Sequence, residues 1–356
     1  MRRRWNGLVA AILAVVLAAT ACSSGDERGR AGPRREDRDE TAADDGSEHR
    51  GTTSPGGPGT PPRPSSGCSA PRTERAELRR AEVSVHGTMR EYFVTTPGGT
   101  APLPLVVDLH GLMEGAELHA SHTRLREHGL RNGFATVFPN GRGEPLRWDA
   151  RAGVEDNEDL ELVDAVVARV AARRCIDLAR VYATGLSNGA MLASLLACER
   201  SATFAAVAPV AGLVAPEPCD PDRAVPILST HGTADPIVGF NGSTGGLDDA
   251  LAGTPTTTEP PADLAGPGHP AALAEWARRN GCAPNATDER VATSVVHRRY
   301  DCPEGAEVSS YLVEGGGHAW PGSRLGESFE AVTGPVTGEI DWNELAWEFF
   351  QRHALP

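Results

Sequence analysis

Residues 180–189 read Arg180-Val-Tyr-Ala-Thr-Gly-Leu-Ser-Asn-Gly189, and this stretch decides the fold. Its first half is typical of a buried β-strand, and the residues from Asn188 to Cys198 repeat apolar side chains at helical spacing. Gly185-Leu-Ser-Asn-Gly189 between them matches G-x-S-x-G, a motif that needs a strand before it and a helix after it. The pattern predicts that Ser187 is a nucleophile raised on a sharp strand-to-helix turn.

Strand-like runs and helical patterns alternate on both sides of this turn. The strand-like runs are Pro104–His110, Phe134–Phe138, Phe204–Val210, Val225–Thr230 and Val308–Val313. Helical spacing occurs between them, as in Leu160–Val170. The alternation predicts an α/β fold with a mostly parallel central sheet and helices on both faces.

A serine hydroxyl is a weak nucleophile and needs a base. His318 lies in Gly315-Gly-Gly-His-Ala-Trp-Pro321, directly after the last predicted strand, where glycines let the loop fold back towards Ser187. His119, His122 and His128 fall instead on a helix predicted from Leu118 to Leu130, and we expect them at the surface.

The acid that orients the base is predicted to be Asp235, in His231-Gly-Thr-Ala-Asp-Pro236 after a predicted strand. Asp222 and Asp301 are the alternatives, and His231 is expected to support the acid loop. The chain order Ser187, Asp235, His318 is that of the α/β-hydrolase fold.

Two backbone N–H groups are expected to bind the oxyanion, those of Asn188 and Leu112, with Gly111 as the alternative to Leu112. Trp148 and Trp320 are predicted to contact the substrate, and plain packing is the alternative for both. We expect no cofactor and no metal, because no metal-ligand spacing or phosphate-binding glycine loop is recognised.

The N-terminus has the pattern of an export signal, a basic start followed by the apolar run Leu8–Ala19, which is too short to span a bilayer stably. Ala19-Thr-Ala-Cys22 resembles a bacterial lipobox, which implies an acylated Cys22 that begins the mature protein. Ordinary secretory cleavage is the alternative. Residues 23–67 are polar and rich in Gly and Pro, which predicts a disordered linker before a catalytic domain at 68–356.

Six cysteines remain after Cys22, an even number that favours disulfides in an exported chain. Short spacing favours Cys198–Cys219 and Cys282–Cys302 and leaves Cys68–Cys175, although the sequence alone keeps other pairings open. The segment 242–270 interrupts the regular pattern and is either a lid or wall of the site or a surface insertion.

Several motifs together resemble the secreted poly(3-hydroxybutyrate) depolymerase, feruloyl esterase and acetyl xylan esterase family. They include Leu109-His-Gly111, Pro139-Asn-Gly141 with Trp148, Tyr182–Gly189, Ala208-Pro-Val-Ala-Gly212, His231–Pro236 and Gly315–Gly322. The resemblance implies a serine esterase that hydrolyses hydroxyalkanoate oligomers through an acyl-enzyme. Feruloyl or acetyl xylan esters are the alternative substrates, and a peptidase of the same fold or a non-catalytic surface binding lipoprotein are the alternative functions.

The expected partners follow from charge and export. A formal net charge of −14 argues against nucleic acid and against direct binding to an anionic membrane surface. We expect an extracellular monomer that acts on an ester and touches the membrane only through its lipid.

Overall fold

The computed structural model describes residues 60–69, 75–243 and 261–356. A ten-stranded sheet runs through these residues in the order β1-β2-β4-β3-β5-β6-β7-β10-β9-β8. The strands are β1 (Ala76–Val85), β2 (Thr88–Thr96), β3 (Leu103–Leu109), β4 (Ala135–Pro139), β5 (Ile176–Leu186), β6 (Ala206–Val210), β7 (Ile227–Gly232), β8 (Ala286–Arg290), β9 (Val295–Tyr300) and β10 (Val308–Val313). Neighbours from β4 to β10 pair in parallel, and the strands at both edges pair antiparallel. The mostly parallel sheet predicted for an α/β-hydrolase fold is confirmed.

Helices cover both faces of the sheet, as predicted. They are α1 (Ala116–Thr123), α2 (Leu125–Asn132), α3 (Glu158–Arg173), α4 (Asn188–Glu199), α5 (His269–Arg279), α6 (Glu330–Thr333) and α7 (Trp342–Gln351). Alternate residues of a strand point to opposite faces, so Leu105 and Val107 pack with α3, α4 and α5, whereas Val106 packs with α1, α2 and α7. Each face therefore has its own hydrophobic core.

The predicted helix from Leu118 to Leu130 is in fact the two helices α1 and α2. Arg124 between them has a φ of 54°, in the left-handed region that ends an α-helix. The change of direction at Arg124 lets both helices contact the sheet, and it places α1 beside the loop that follows β3.

The ordered domain begins before the predicted boundary at Cys68. Ser65 N–H donates to the Ile176 carbonyl at 2.8 Å, and Arg63 N–H donates to Asp177 Oδ1 at 2.7 Å. Residues 63–67 therefore belong to the domain and not to the predicted linker. Main-chain hydrogen bonds hold this segment, and polar composition does not reveal them.

The predicted signal peptide, Cys22 and the predicted linker up to residue 59 lie outside the described residues, as does segment 244–260 of the predicted insertion. Within the described ranges, no helix combines the length and apolar character needed to cross a membrane. The structure therefore leaves the lipid-anchor prediction and the role of the insertion as they stand.

All three predicted disulfides are present, Cys68–Cys175, Cys198–Cys219 and Cys282–Cys302. The first ties the segment before β1 to the residue that precedes β5. Disulfides persist in oxidising compartments, so the three bridges fit an extracellular protein.

Candidate active site

Ser187 sits on the sharp turn between β5 and α4, with φ 57° and ψ −120°. A non-glycine residue rarely adopts this backbone conformation, and the close contact between β5 and α4 holds it in place. A Cβ on Gly189 would lie 2.0 Å from the Leu109 carbonyl oxygen, and one on Gly185 would lie 2.6 Å from the same atom. Both glycines are therefore required for α4 to approach β3, and the G-x-S-x-G pattern is explained by packing.

Ser187, Asp235 and His318 follow the carboxyl ends of β5, β7 and β10, three parallel strands of one sheet. A main-chain hydrogen bond links the loop after β7 to the loop after β10, with Ala234 N–H donating to the Gly316 carbonyl at 2.9 Å. A Cβ on Gly232 would lie 2.2 Å from that same carbonyl oxygen. The close approach of these loops brings the predicted acid and base together.

The predicted acid and base are hydrogen-bonded, His318 Nδ1–H donating to Asp235 Oδ2 at 2.7 Å. The other carboxylate oxygen, Oδ1, accepts from the N–H groups of Ile237 at 2.8 Å and Val238 at 2.9 Å. His231 Nε2 lies 3.2 Å from Oδ2, which agrees with its expected supporting role. Burial alone would raise the pKa of Asp235, but His318 and His231 outweigh it and lower that pKa below its ordinary value. Asp235 is thus held as a carboxylate.

The nucleophile and the base are not hydrogen-bonded to each other in the described part of the chain. Asp235 uses Nδ1 of His318, so Nε2 is the nitrogen free to take a proton from Ser187. The alternative acid Asp222 makes a different contact, its N–H donating to Ser201 Oγ at 3.0 Å. The geometry therefore pairs His318 with Asp235.

The loop after β3 lies beside the nucleophile. A Cβ on Gly111 would lie 3.7 Å from the Cβ of Ser187. The Gly111 N–H is already used, since it donates to Glu114 Oε2 at 3.0 Å. In contrast, no described residue accepts a hydrogen bond from the N–H of Leu112 or Asn188. These two amides remain available for an oxyanion, whereas that of Gly111 does not.

Glu114 belongs to a buried ion network that sequence reasoning missed. His119 donates from Nδ1 to Glu114 Oε2 and from Nε2 to Asp108 Oδ1, both at 2.8 Å. His122 Nδ1–H donates to Glu114 Oε1 at 2.7 Å, and Thr123 Oγ1–H donates to Asp108 Oδ2 at 3.0 Å. Asp108, His119 and Glu114 thus form a chain from β3 to the loop at Gly111.

The surface prediction for His119, His122 and His128 is wrong. His119 and His128 are buried, and the His122 side chain is only 11% exposed and contacts Glu114. The buried face of α1 consists of Ala116, His119, Ala120 and Thr123, which show no apolar stripe in the sequence. The available signal was the spacing of three between His119 and His122, which puts both on one helix face.

Charge holds this network together. Burial alone would lower the pKa of His119, but the carboxylates of Asp108 and Glu114 outweigh it and raise that pKa to about 10. Burial alone would raise the pKa of Glu114, but the two histidines lower it well below its ordinary value. His119 is therefore an imidazolium between two carboxylates.

The Glu114, His119 and His122 ligand atoms lie within 4.8 Å of one another, a spacing that could hold a metal ion. Direct hydrogen bonds already join Glu114 to each histidine. The ion network accounts for their proximity without a metal.

His110 braces the same loop in its neutral form. Its Nδ1–H donates to the Gly111 carbonyl at 2.7 Å, and its Nε2 accepts from the Gly141 N–H at 2.9 Å. Burial lowers the pKa of His110 to about 4, so that the ring keeps an acceptor nitrogen at neutral pH.

The two predicted substrate-binding tryptophans have different positions. Trp148 lines a groove of about 820 Å³ together with Asn188, the residue after the nucleophile. Trp320 is enclosed in the core, where its ring packs edge-on against His119 and its Nε1–H donates to Asn343 Oδ1 at 3.2 Å. The substrate-binding prediction for Trp320 is therefore corrected, because its neighbours on α1 and α7 cover it.

The comparisons with known proteins concern the family of the chain. Residues 91–245 match the family described as Esterase PHB depolymerase. The chain is also 32% identical over 289 residues to the putative esterase NocK of Nocardia uniformis subsp. tsuyamanensis, covering 75% of this chain and 81% of that protein. The chain belongs to the esterase PHB depolymerase family.

Other relatives of this esterase family member are larger proteins. It is 27% identical over 238 residues to feruloyl esterase B of Piromyces equi, covering 65% of this chain and 42% of that protein. It is 28% identical over 155 residues to the bifunctional acetylxylan esterase/xylanase XynS20E of Neocallimastix patriciarum, covering 43% of this chain and 22% of that protein. The chain thus spans less than half the length of both.

Among solved structures, the acetyl xylan esterase from Aspergillus awamori matches 71% of this chain and 99% of its own, with 15% identity and a TM-score of 0.49. The family resemblance inferred from the motifs is confirmed by the family match and by the relatives.

Proposed function

We propose that this family member is a serine carboxylic ester hydrolase that works through an acyl-enzyme. The observation that carries the proposal is the hydrogen bond from His318 Nδ1 to Asp235 Oδ2, at the same end of the sheet as the strained turn of Ser187. Family membership supports ester hydrolysis, and the triad of Ser187, Asp235 and His318 is our assignment.

In this mechanism Ser187 Oγ attacks the ester carbonyl carbon while His318 Nε2 takes the hydroxyl proton. The carbonyl oxygen becomes an oxyanion and accepts hydrogen bonds from the N–H groups of Leu112 and Asn188. Collapse of the tetrahedral intermediate breaks the ester C–O bond, and the leaving alkoxide takes the proton from His318. Water then attacks the acyl-enzyme by the same proton route and releases the acid.

For the substrate we propose short hydroxyalkanoate esters, oligomers of the polyhydroxybutyrate type. The family description supports this class. Feruloyl and acetyl xylan esters are the second candidate, because the relatives include a feruloyl esterase and an acetylxylan esterase. Hydrolysis rates on matched panels of both ester classes would separate them.

We also propose that the protein acts outside the cell while a lipid anchor attaches it to the membrane. The three disulfides support export. Acylation of Cys22 would hold the chain on the membrane, and the polar stretch after it would give the domain reach. Metabolic labelling with a palmitate analogue tests this, with Cys22→Ser expected to lose the label. Labelling that persists in Cys22→Ser would reject it.

The function is tested by hydrolysis of p-nitrophenyl butyrate by the domain and by its Ser187→Ala variant. Loss of the nucleophile should lower kcat by at least about 10³-fold. Ser121→Ala, a hydroxyl deletion on the exposed side of α1, is the matched control and should keep the wild-type rate. A Ser187→Ala variant that is as active as Ser121→Ala would refute the assignment.

A further inference from the structure

Of the charged side chains that line the groove beside Asn188, one forms no ion pair with any described residue. Its other charged lining residues are paired, Arg142 with Glu158, Arg151 with Asp149, and Asp159 with Arg90. Arg147 also lines the groove, and no described carboxylate forms an ion pair with it. Within the part of the chain that the structure describes, a single guanidinium of the groove therefore remains to meet a ligand, in a protein whose overall charge is strongly negative.

The backbone of Arg147 is fixed next to the nucleophile turn. Its N–H and carbonyl pair with Arg142 at 3.0 and 3.1 Å, which closes a tight hairpin. The next residue, Trp148, donates its N–H to Asn188 Oδ1 at 2.7 Å and accepts from Asn188 Nδ2 at 3.2 Å. Residue 146 accepts from the N–H of Met113, beside the proposed oxyanion donor Leu112, at 2.9 Å. The hairpin is thus bound to both sides of the proposed oxyanion site.

Apolar surface makes up about half of the groove's lining. Its wall includes Trp148, Ala150, Met191, Val214 and Pro216. The guanidinium carbon of Arg147 lies over Gly143, 3.7 Å from where a Cβ at that glycine would be. The apolar part of this wall, with the Arg147 guanidinium beside it, complements a ligand that has a hydrocarbon body and one carboxylate, since arginine binds carboxylates through two parallel N–H donors.

We infer that this groove selects esters that carry a free carboxylate, with Arg147 as the residue that binds it. The inference rests on the proposed esterase function and narrows its substrate class. A linear hydroxyalkanoate oligomer ends in a carboxylate attached to a short hydrocarbon unit, whereas acetyl and feruloyl esters of neutral sugars have none. The groove therefore favours the oligomer among the candidate substrates.

The test compares two substrates that differ only in this charge. They are the linear dimer of 3-hydroxybutyrate with a free carboxylate and the same dimer with a terminal primary amide, at pH 7 and low salt. The wild-type protein should cleave the acid with a kcat/KM about tenfold above that of the amide, mainly through KM. Raising the salt should shrink this preference, because the guanidinium is exposed.

Arg147→Gln should reduce the acid-to-amide ratio to about one. Arg131→Gln removes an exposed arginine on α2 and should keep the wild-type ratio, which controls for net charge. A wild-type ratio of about one, or an Arg147→Gln variant that keeps the preference, would overturn the inference.

Binding separates this inference from the esterase proposal. Calorimetry with the Ser187→Ala protein should show about tenfold tighter binding of the acid than of the amide. The Ser187→Ala, Arg147→Gln double variant should show no difference. Equal affinities in the Ser187→Ala protein would reject the carboxylate site even if ester hydrolysis is confirmed. A preference that is lost only in the double variant would support the site even if hydrolysis of p-nitrophenyl butyrate fails.

Discussion

The Gly111 N–H donates to the carboxylate of Glu114 at 3.0 Å, which removes one of the two candidate donors from the proposed oxyanion site. The same carboxylate accepts hydrogen bonds from His119 and His122. The ion network on α1 therefore sets the path of the loop, and it leaves Leu112 as the amide that can face the substrate.

Removal of this carboxylate should impair catalysis more than binding. We expect Glu114→Ala to lower kcat about tenfold or more, with KM changed by less than about threefold, since a misplaced oxyanion donor acts mainly in the transition state. Steady-state kinetics on p-nitrophenyl butyrate measures both constants. Glu117→Ala removes an exposed carboxylate on α1, three residues further along the chain, and should match the wild type. Unchanged kcat in a folded Glu114→Ala protein would contradict the role of the network.

The network also predicts a pH dependence of stability. The pKa of His119 is raised from 6.5 to about 10, so the folded protein binds a proton that the unfolded chain loses above pH 6.5. The stabilisation by His119 is fully present below pH 6.5 and declines as the pH rises towards 10. The difference in Tm between the wild type and His119→Gln should therefore be large at pH 6.5 and shrink by pH 10. A difference that is constant over this range would show that His119 is not charged.

The role of Asp235 as the acid of the proposed triad can be tested by a substitution that keeps the shape of its side chain. Asp235→Asn should lower kcat by about 10⁴-fold, because the amide cannot stabilise the imidazolium or hold the correct tautomer of His318. Asp222→Asn, at the alternative acid, is the control and should retain the wild-type kcat. If Asp222→Asn is the variant that loses activity, the triad assignment is wrong.

The glycine at the start of α4 is predicted to be required for folding. Gly189→Ala would place a Cβ 2.0 Å from the Leu109 carbonyl oxygen, so the helix must move away from β3. We expect a Tm lower by several degrees, together with weaker activity. A Cβ on Gly338 meets nothing within 4 Å, so Gly338→Ala should melt like the wild type. Equal Tm values for both variants would show that the backbone relaxes at no cost.

Most of what could be predicted about the fold and the active site came from patterns within short stretches of sequence. The β5–turn–α4 stretch is contiguous, so its strand period, its helix period and its two glycines are all visible in one short run. The predicted acid and base also follow the ends of their own strands, and parallel strands bring those ends to one edge of the sheet. Because β7 and β10 are neighbouring parallel strands, the loops that follow them bring Asp235 and His318 within hydrogen-bond distance.

What the sequence by itself determined is the α/β-hydrolase fold and the order of Ser187, Asp235 and His318 along it, whereas it favoured three cysteine pairs by spacing and left other pairings open. Only the tertiary structure decided which loop amide is free, where the two tryptophans lie and which of the arginines lining the groove forms no ion pair with a described residue. The physical reason is that these properties depend on contacts between distant segments. Trp320 packs against His119 on α1 and bonds to Asn343 on α7, and pairing with Asp108 and Glu114 buries a histidine that the helical pattern assigns to solvent.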